Sequence, residues 1–255
     1  MIIELFGPPG AGKTTFARAL AARLREQGHT VDLILSHRPA ECSPSEISSS
    51  DFQAQQLSWV IRRLARPFAE ILTMARHPFA LAHDVREARK LIKMMPPSHS
   101  LWSLRLAQYL SRLSRAWFQA SNTDHIVLFD QAFVQAVCSL ALLCGVTDEF
   151  LISHALDEIP QSDLRVLLYA PAEIVEARLR DRQRIESRME RLLEMNLATS
   201  LKSLAIIGCL HELLGKKGRR VTNAASLDQH SLQEAVERVE KQITAQFSMV
   251  QRGAA

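Results

Sequence analysis

The chain has 255 residues, 47% hydrophobic and 23% charged, with a net charge of +4. That is enough apolar sequence to bury a full core in one large domain, or one domain with a sub-domain. Charges interrupt every apolar stretch before the roughly 18 residues of a spanning helix, which excludes a membrane-embedded protein. Cys42, Cys138, Cys144 and Cys209 form no C-x-x-C pair and no metal-spaced cluster with histidine, so buried free thiols in a reducing cytosol are expected. Strand sequence begins almost at Met1 with no signal peptide ahead of it, which agrees with a cytoplasmic location.

Ile2, Ile3, Leu5 and Phe6 read as a short buried strand. Gly7-Pro8-Pro9-Gly10-Ala11-Gly12-Lys13-Thr14 follows and fits G-x-x-x-x-G-K-[ST] at every position. Phe16, Leu20 and Leu24 then recur at helical spacing up to Gly28. A strand, a glycine turn and a helix in that order aim several N–H groups and a positive helix end at one point, which suits a polyphosphate. The expected phosphate contacts are Gly7, Pro8, Pro9, Gly10, Ala11, Gly12, Lys13, Thr14 and Thr15. Lys13 would reach the β- and γ-phosphates of ATP, and the Thr14 hydroxyl would help hold Mg²⁺.

Thr30 to Leu35 reads as a second strand, followed by the loop Ser36-His37-Arg38-Pro39. The polar tract Ser43 to Ser50 marks entry to an insertion, placed at 44–122, in which no strand signal occurs. Leu57, Val60, Ile61, Leu64, Phe68 and Leu72 keep helical spacing, as do Leu104, Leu110, Leu113 and Trp117; Pro67, Pro78 and Pro96-Pro97 divide the helices. Between Val60 and Ala120 eleven Lys or Arg face three acids. Such a block fits either an anionic partner or a solvated helical face. His99, Trp102, Tyr109 and Trp117 fit base stacking less well than core packing, so nucleic acid is not an expected partner. Residues Leu101 to Phe118 resemble a membrane-surface helix, but interleaved Ala and Ser favour packing against other helices.

His125 to Asp130 is a third strand with a helix after it at Ala132 to Leu143, and Asp148 to Leu156 is a further helical piece. Leu164 to Tyr169 is the fourth strand, and Pro171-Ala172-Glu173 opens a long charged helix. Arg219 to Thr222 is a short fifth strand leading into the loop Asn223-Ala224-Ala225. The closing helix starts at a capping box, Ser231-x-x-Glu234, and buries Leu232, Val236, Val239 and Ile243. Strands alternating with helices predict a doubly wound α/β fold, a five-stranded parallel sheet with a helical insertion, in a single domain 1–255. Ligands of such sheets bind beyond the carboxyl ends of the strands. Asp130 closes its strand there, whereas Asp163 precedes its own and falls at the opposite edge. Asp130 is the candidate to bind Mg²⁺ or to accept a proton from an acceptor hydroxyl, with a helix N-cap as the structural alternative.

The phosphate loop, Asp130, the R-x-x-x-R pair Arg178/Arg182 and Thr222-Asn223-Ala224 together resemble the P-loop nucleoside and nucleotide kinases, thymidylate kinase-like proteins above all. The resemblance implies an arginine-bearing lid within 172–195, with Arg178 and Arg182 as catalytic residues on the transferring phosphate. It implies that Arg38, in Ser36-His37-Arg38-Pro39, contacts an acceptor phosphate, against the alternative of a solvated loop arginine. It also implies that the loop at Asn223 lines the donor base. Asp130 is followed by Gln131, where thymidylate kinases carry arginine.

The expected function is ATP- and Mg²⁺-dependent phosphoryl transfer to a small anionic acceptor, a nucleotide or other phosphorylated metabolite. The alternative is a nucleotide-switched ATPase whose basic helices grip a partner; the absence of N-K-x-D and of a compact acidic pair ending a strand counts against it.

Overall fold

A computed structural model of the chain describes residues 1–36, 89–97, 100–185, 197–225 and 227–253. Five strands, β1 (Ile2–Phe6), β2 (Val31–Ile34), β3 (Ile126–Phe129), β4 (Leu164–Tyr169) and β5 (Val221–Ala225), form one sheet in the order β2-β3-β1-β4-β5. All neighbours are parallel, with Ile3 opposite Leu128 on one side and Leu164 on the other. Parallel neighbours require crossovers, and helices supply them on both faces. These are α1 (Lys13–Glu26), α2 (Ser100–Ser121), α3 (Phe133–Cys144), α4 (Glu149–Asp157), α5 (Ala172–Ile185), α6 (Leu197–Lys216) and α7 (Gln229–Gly253).

The two faces follow from the two-residue period of a strand. Ile3 and Leu5 join Phe16, Leu20 and Leu24 of α1 and Val236, Val239 and Ile243 of α7 in one core. Ile2 and Phe6 belong to the other, with residues of α2, α3, α4 and α6. Helix α2 contributes Leu106, Leu110, Leu113 and Trp117, and the Trp117 ring lies 5.3 Å from both Phe129 and Phe133. The apolar stripe of this basic helix therefore faces the core. Among the described residues no helix is long and apolar enough to cross a membrane. Of the expected insertion 44–122, residues 44–88, 98 and 99 lie outside the described residues.

Two local expectations are corrected. Asn223, Ala224 and Ala225 are not a loop: they extend β5, opposite Leu167, Leu168 and Tyr169. Pairing with a central strand outweighs the weak strand propensity of Asn and Ala. The capping box of α7 is Asp228/Ser231, not Ser231/Glu234. Asp228 Oδ1 accepts from Ser231 N at 2.7 Å, and Ser231 Oγ accepts from Asp228 N at 3.0 Å. That backbone donation holds the Asp228 carboxyl below its ordinary range. Among the described residues the charged sequence after Pro171 forms α5, and α6 lies further on, burying Ile207, Leu210, Leu213 and Leu214.

Candidate active site

The chain leaves β1 through a turn whose backbone only glycine can adopt at its first position. Gly7 has φ +152°, and a Cβ there would stand 2.3 Å from the Leu168 carbonyl oxygen. Gly12, at φ +88°, immediately precedes α1, so the N-terminal N–H groups of that helix border the turn. The Gly7 N–H donates to Gln135 Oε1 at 3.1 Å, and Ala11 N–H donates to the Pro8 carbonyl at 3.2 Å. Lys13 is buried, its Nζ donating to the carbonyls of Gly7 at 2.7 Å and Pro8 at 2.9 Å. Its charge thus lies across the turn. Pro9 and Gly10 are partly open to solvent, and Thr15 is exposed on the first turn of α1.

Asp130 follows β3 directly and is fully buried. Its Oδ2 accepts from Thr14 Oγ1 at 2.9 Å and from Ser36 Oγ at 3.1 Å, and its Oδ1 accepts from the Ser36 N–H at 2.7 Å. The ends of β2 and β3 and the start of α1 therefore meet at one carboxylate. The N-cap alternative for Asp130 is not what forms. Ala132 precedes α3 without a side-chain cap, and the Val134 N–H goes to Glu4 Oε2 at 3.3 Å. Asp163 sits at the opposite strand edge, where its Oδ2 accepts from the Ile2 N–H.

Arg178 reaches the phosphate loop from α5. Its Nη1 donates to the Gly10 carbonyl at 3.1 Å and its Nη2 to the Leu227 carbonyl at 2.9 Å, tying the loop to the segment after β5. Neighbouring arginines make surface pairs, Arg180 with Glu176 at 2.6 Å and Arg184 with Asp181 at 3.3 Å. Arg38 and the side chain of Arg182 lie outside the described residues. Asn223 is exposed on β5 instead of turning in a loop.

A cavity of about 250 Å³ opens beside Asp130, lined by residues that include Ser36, Tyr109, Arg112, Phe129 and Gln131. A slightly larger groove of about 310 Å³, lined by Ala19, Arg23, Leu232 and Val236 among others, runs between α1 and α7. It borders the far half of α1, away from the strand ends where such sheets bind ligands. The smaller cavity is the one joined to the chemistry.

Ser36, Gln135 and Tyr109 are site residues that sequence reasoning did not assign. Ser36 had a signal, since it follows the second strand as Asp130 follows the third. Gln135 had none, because its contact depends on how α3 is turned toward Gly7.

The Thr14 hydroxyl and Asp130 carboxylate are hard oxygen donors of the kind Mg²⁺ takes. Among the described residues no three His, Cys, Asp or Glu side chains gather as a metal cluster.

No protein-family model matches the chain, and no curated protein is significantly similar to it. Among solved structures, the deoxyadenosine kinase of M. mycoides with products dCMP and a flexible dCDP is 13% identical, with a TM-score of 0.52 over 96% of this chain and 100% of that one. The same kinase with bound dATP is 14% identical, with a TM-score of 0.48 over the same shares. Sheet order, the loop after β1 and the first of these likenesses place the chain in the P-loop nucleoside and nucleotide kinase fold.

Proposed function

We propose that the chain is a kinase that transfers the γ-phosphoryl group of ATP to a hydroxyl of a small acceptor seated in the cavity beside Asp130. The acceptor class is a nucleoside, a nucleotide or a related phosphorylated metabolite. The observation that carries the reading is the convergence of Thr14, which closes the phosphate loop, and Ser36, which lines that cavity, on the Asp130 carboxylate. The deoxyadenosine kinase of the same fold was solved with dCMP and dCDP, which supports a nucleoside or nucleotide acceptor.

In this reading, loop N–H groups and the start of α1 hold the polyphosphate, and Lys13 exchanges its Gly7 and Pro8 carbonyls for phosphate oxygens. Thr14 and Asp130 would hold Mg²⁺. Bound there, it would supply positive charge against the donor's phosphates. Asp130 would orient the acceptor hydroxyl and take its proton once Thr14 or Ser36 gives way to the ligand. Arg178 braces the loop through Gly10, and Arg182 is the candidate for charge on the moving group. Arg38 and Arg112 would favour an anionic acceptor, and Asn223 would border the donor base.

Incubation with ATP, Mg²⁺ and a panel of nucleosides and nucleoside monophosphates should yield a phosphorylated acceptor. ATP binding without any such product, or slow hydrolysis indifferent to the panel, would replace the kinase with the nucleotide-switched reading.

A further inference from the structure

Gly7, the first residue of the phosphate loop, is held from two sides. Its N–H donates to Gln135 Oε1 at 3.1 Å, and its carbonyl accepts from Lys13 Nζ at 2.7 Å. A backbone N–H only donates, so the oxygen end of the Gln135 amide is the end that faces Gly7. Gln135 is buried and stands in the first turn of α3. That turn is tied in its own right to β1, because the neighbouring Val134 N–H donates to Glu4 Oε2 at 3.3 Å. The strand that runs into Gly7 thus also anchors the helix that holds Gly7.

A nucleotide acts differently on the two tethers. When the loop takes a polyphosphate, Lys13 gives up the Gly7 and Pro8 carbonyls for phosphate oxygens. Gln135 meets the N–H side of Gly7 from a different helix, and nothing in that exchange requires it to move. We propose that Gln135 is a positioning residue for the phosphate loop, its side-chain oxygen keeping Gly7 in place once Lys13 has turned to the polyphosphate. The proposal rests on the reading above that this loop binds the triphosphate of ATP. Without Gln135, the departure of Lys13 leaves Gly7 with neither tether, so the loss falls on ATP and not on the acceptor.

Hydrogen exchange of the Gly7 amide, read by NMR, tests this in the wild type. The Gly7 N–H should be protected in the free protein and stay protected with Mg²⁺ and a non-hydrolysable ATP analogue. Faster Gly7 exchange in the presence of the analogue means that Gln135 lets go on binding, and overturns the proposal. Gln135→Met keeps the length of the side chain and removes the acceptor oxygen. It should speed Gly7 exchange and raise KM for ATP about tenfold, with acceptor KM unchanged and kcat altered less than about threefold. A packing role alone would lower Tm without singling out ATP. Gln135→Glu returns an acceptor oxygen and should return the protection of Gly7. An unchanged KM for ATP in Gln135→Met, or Gly7 exchange as fast in Gln135→Glu as in Gln135→Met, overturns the proposal.

If the wild type binds the ATP analogue but phosphorylates nothing, the Kd of the analogue replaces KM. Binding about tenfold weaker in Gln135→Met then upholds the role of Gln135 and overturns only the kinase reading. Equal binding by the two proteins overturns the Gln135 proposal, and no binding by the wild type overturns both.

Discussion

Thr14 and Asp130 are 116 positions apart, yet the Thr14 hydroxyl donates to the Asp130 carboxylate at 2.9 Å. One residue lies in the first turn of the helix after the phosphate loop and the other directly follows β3, so a single hydrogen bond joins the loop to the end of that strand. In the kinase reading the same two side chains would hold Mg²⁺. Thr14→Ser keeps the hydroxyl and should retain activity, whereas Thr14→Val should raise the Mg²⁺ needed for half-maximal transfer roughly tenfold or more. Asp130→Asn should lower kcat by roughly a hundredfold or more. Removing Mg²⁺ with a chelator should abolish transfer in the wild type. A magnesium titration of the three variants, each confirmed folded by its melting curve, checks all of these together.

The turn after β1 separates two glycines that look equivalent in the motif. At Gly7 a Cβ would meet the Leu168 carbonyl at 2.3 Å, and that oxygen belongs to the backbone of β4, the strand beside β1. At Gly10 the nearest atoms are 3.5 Å or more away, and the obstacle is only a φ of +81°. Gly10→Ala should therefore cost about 1–2 kcal/mol from left-handed backbone strain. Gly7→Ala adds a steric clash to its own strain and should be the more damaging substitution by a clear margin in Tm.

Much of this arrangement was legible because it is local. The apolar runs of β1, β3 and β4, the glycine motif and the strand-terminal position of Asp130 each declare themselves within a few residues. The end of β5 did not, since Asn223-Ala224-Ala225 becomes strand only through its register with Leu167 to Tyr169. The start of α7 was misplaced because Asp228 and Ser231 both favour caps, and which of them caps depends on where the strand before them stops. Arg178 was visible as a charge on a helix. Its partners were not, because they are main-chain carbonyls of Gly10 and Leu227 that carry no sequence signature. Tyr109 looked like one of several core aromatics, and only the packing of α2 against the sheet sets it in the wall of the cavity.

Arg178 spans two carbonyls that belong to different segments, a geometry that suits a forked guanidinium and not a single ammonium. Arg178→Lys should keep the charge and lose one of the two tethers. The expected result is a several-fold rise in KM for ATP with a smaller change in kcat. A hundredfold fall in kcat with KM preserved would instead make Arg178 a transition-state contact. Initial-rate kinetics at saturating acceptor distinguish the two.

Glu4 and Arg165 form a buried charged pair beneath the phosphate loop, with Arg165 Nε 3.2 Å from Glu4 Oε1. The approach is close as charges but not aligned as a hydrogen bond, since Arg165 Nε has no hydrogen-bond partner. The Glu4 carboxylate also receives Ser162 Oγ at 2.7 Å and the Val134 N–H at 3.3 Å. Burial raises the Glu4 pKa above its ordinary value, and Arg165, Ser162 and Val134 only partly offset it. A carboxyl that binds its proton more tightly when folded contributes stability that is fully present below its unfolded pKa and is lost as pH rises through the folded one. Arg165→Met takes away the main offset, so at neutral pH it should destabilise by about 3–5 kcal/mol, and by less in acid, where Glu4 is neutral. Replacing both residues, Glu4→Leu with Arg165→Met, should recover most of that loss, because no buried charge is then left alone. Urea unfolding of the single and double variants at acidic and neutral pH measures the coupling. A double variant no more stable than Arg165→Met would mean that the pair holds the fold through its shape and hydrogen bonds, and not through its charge balance.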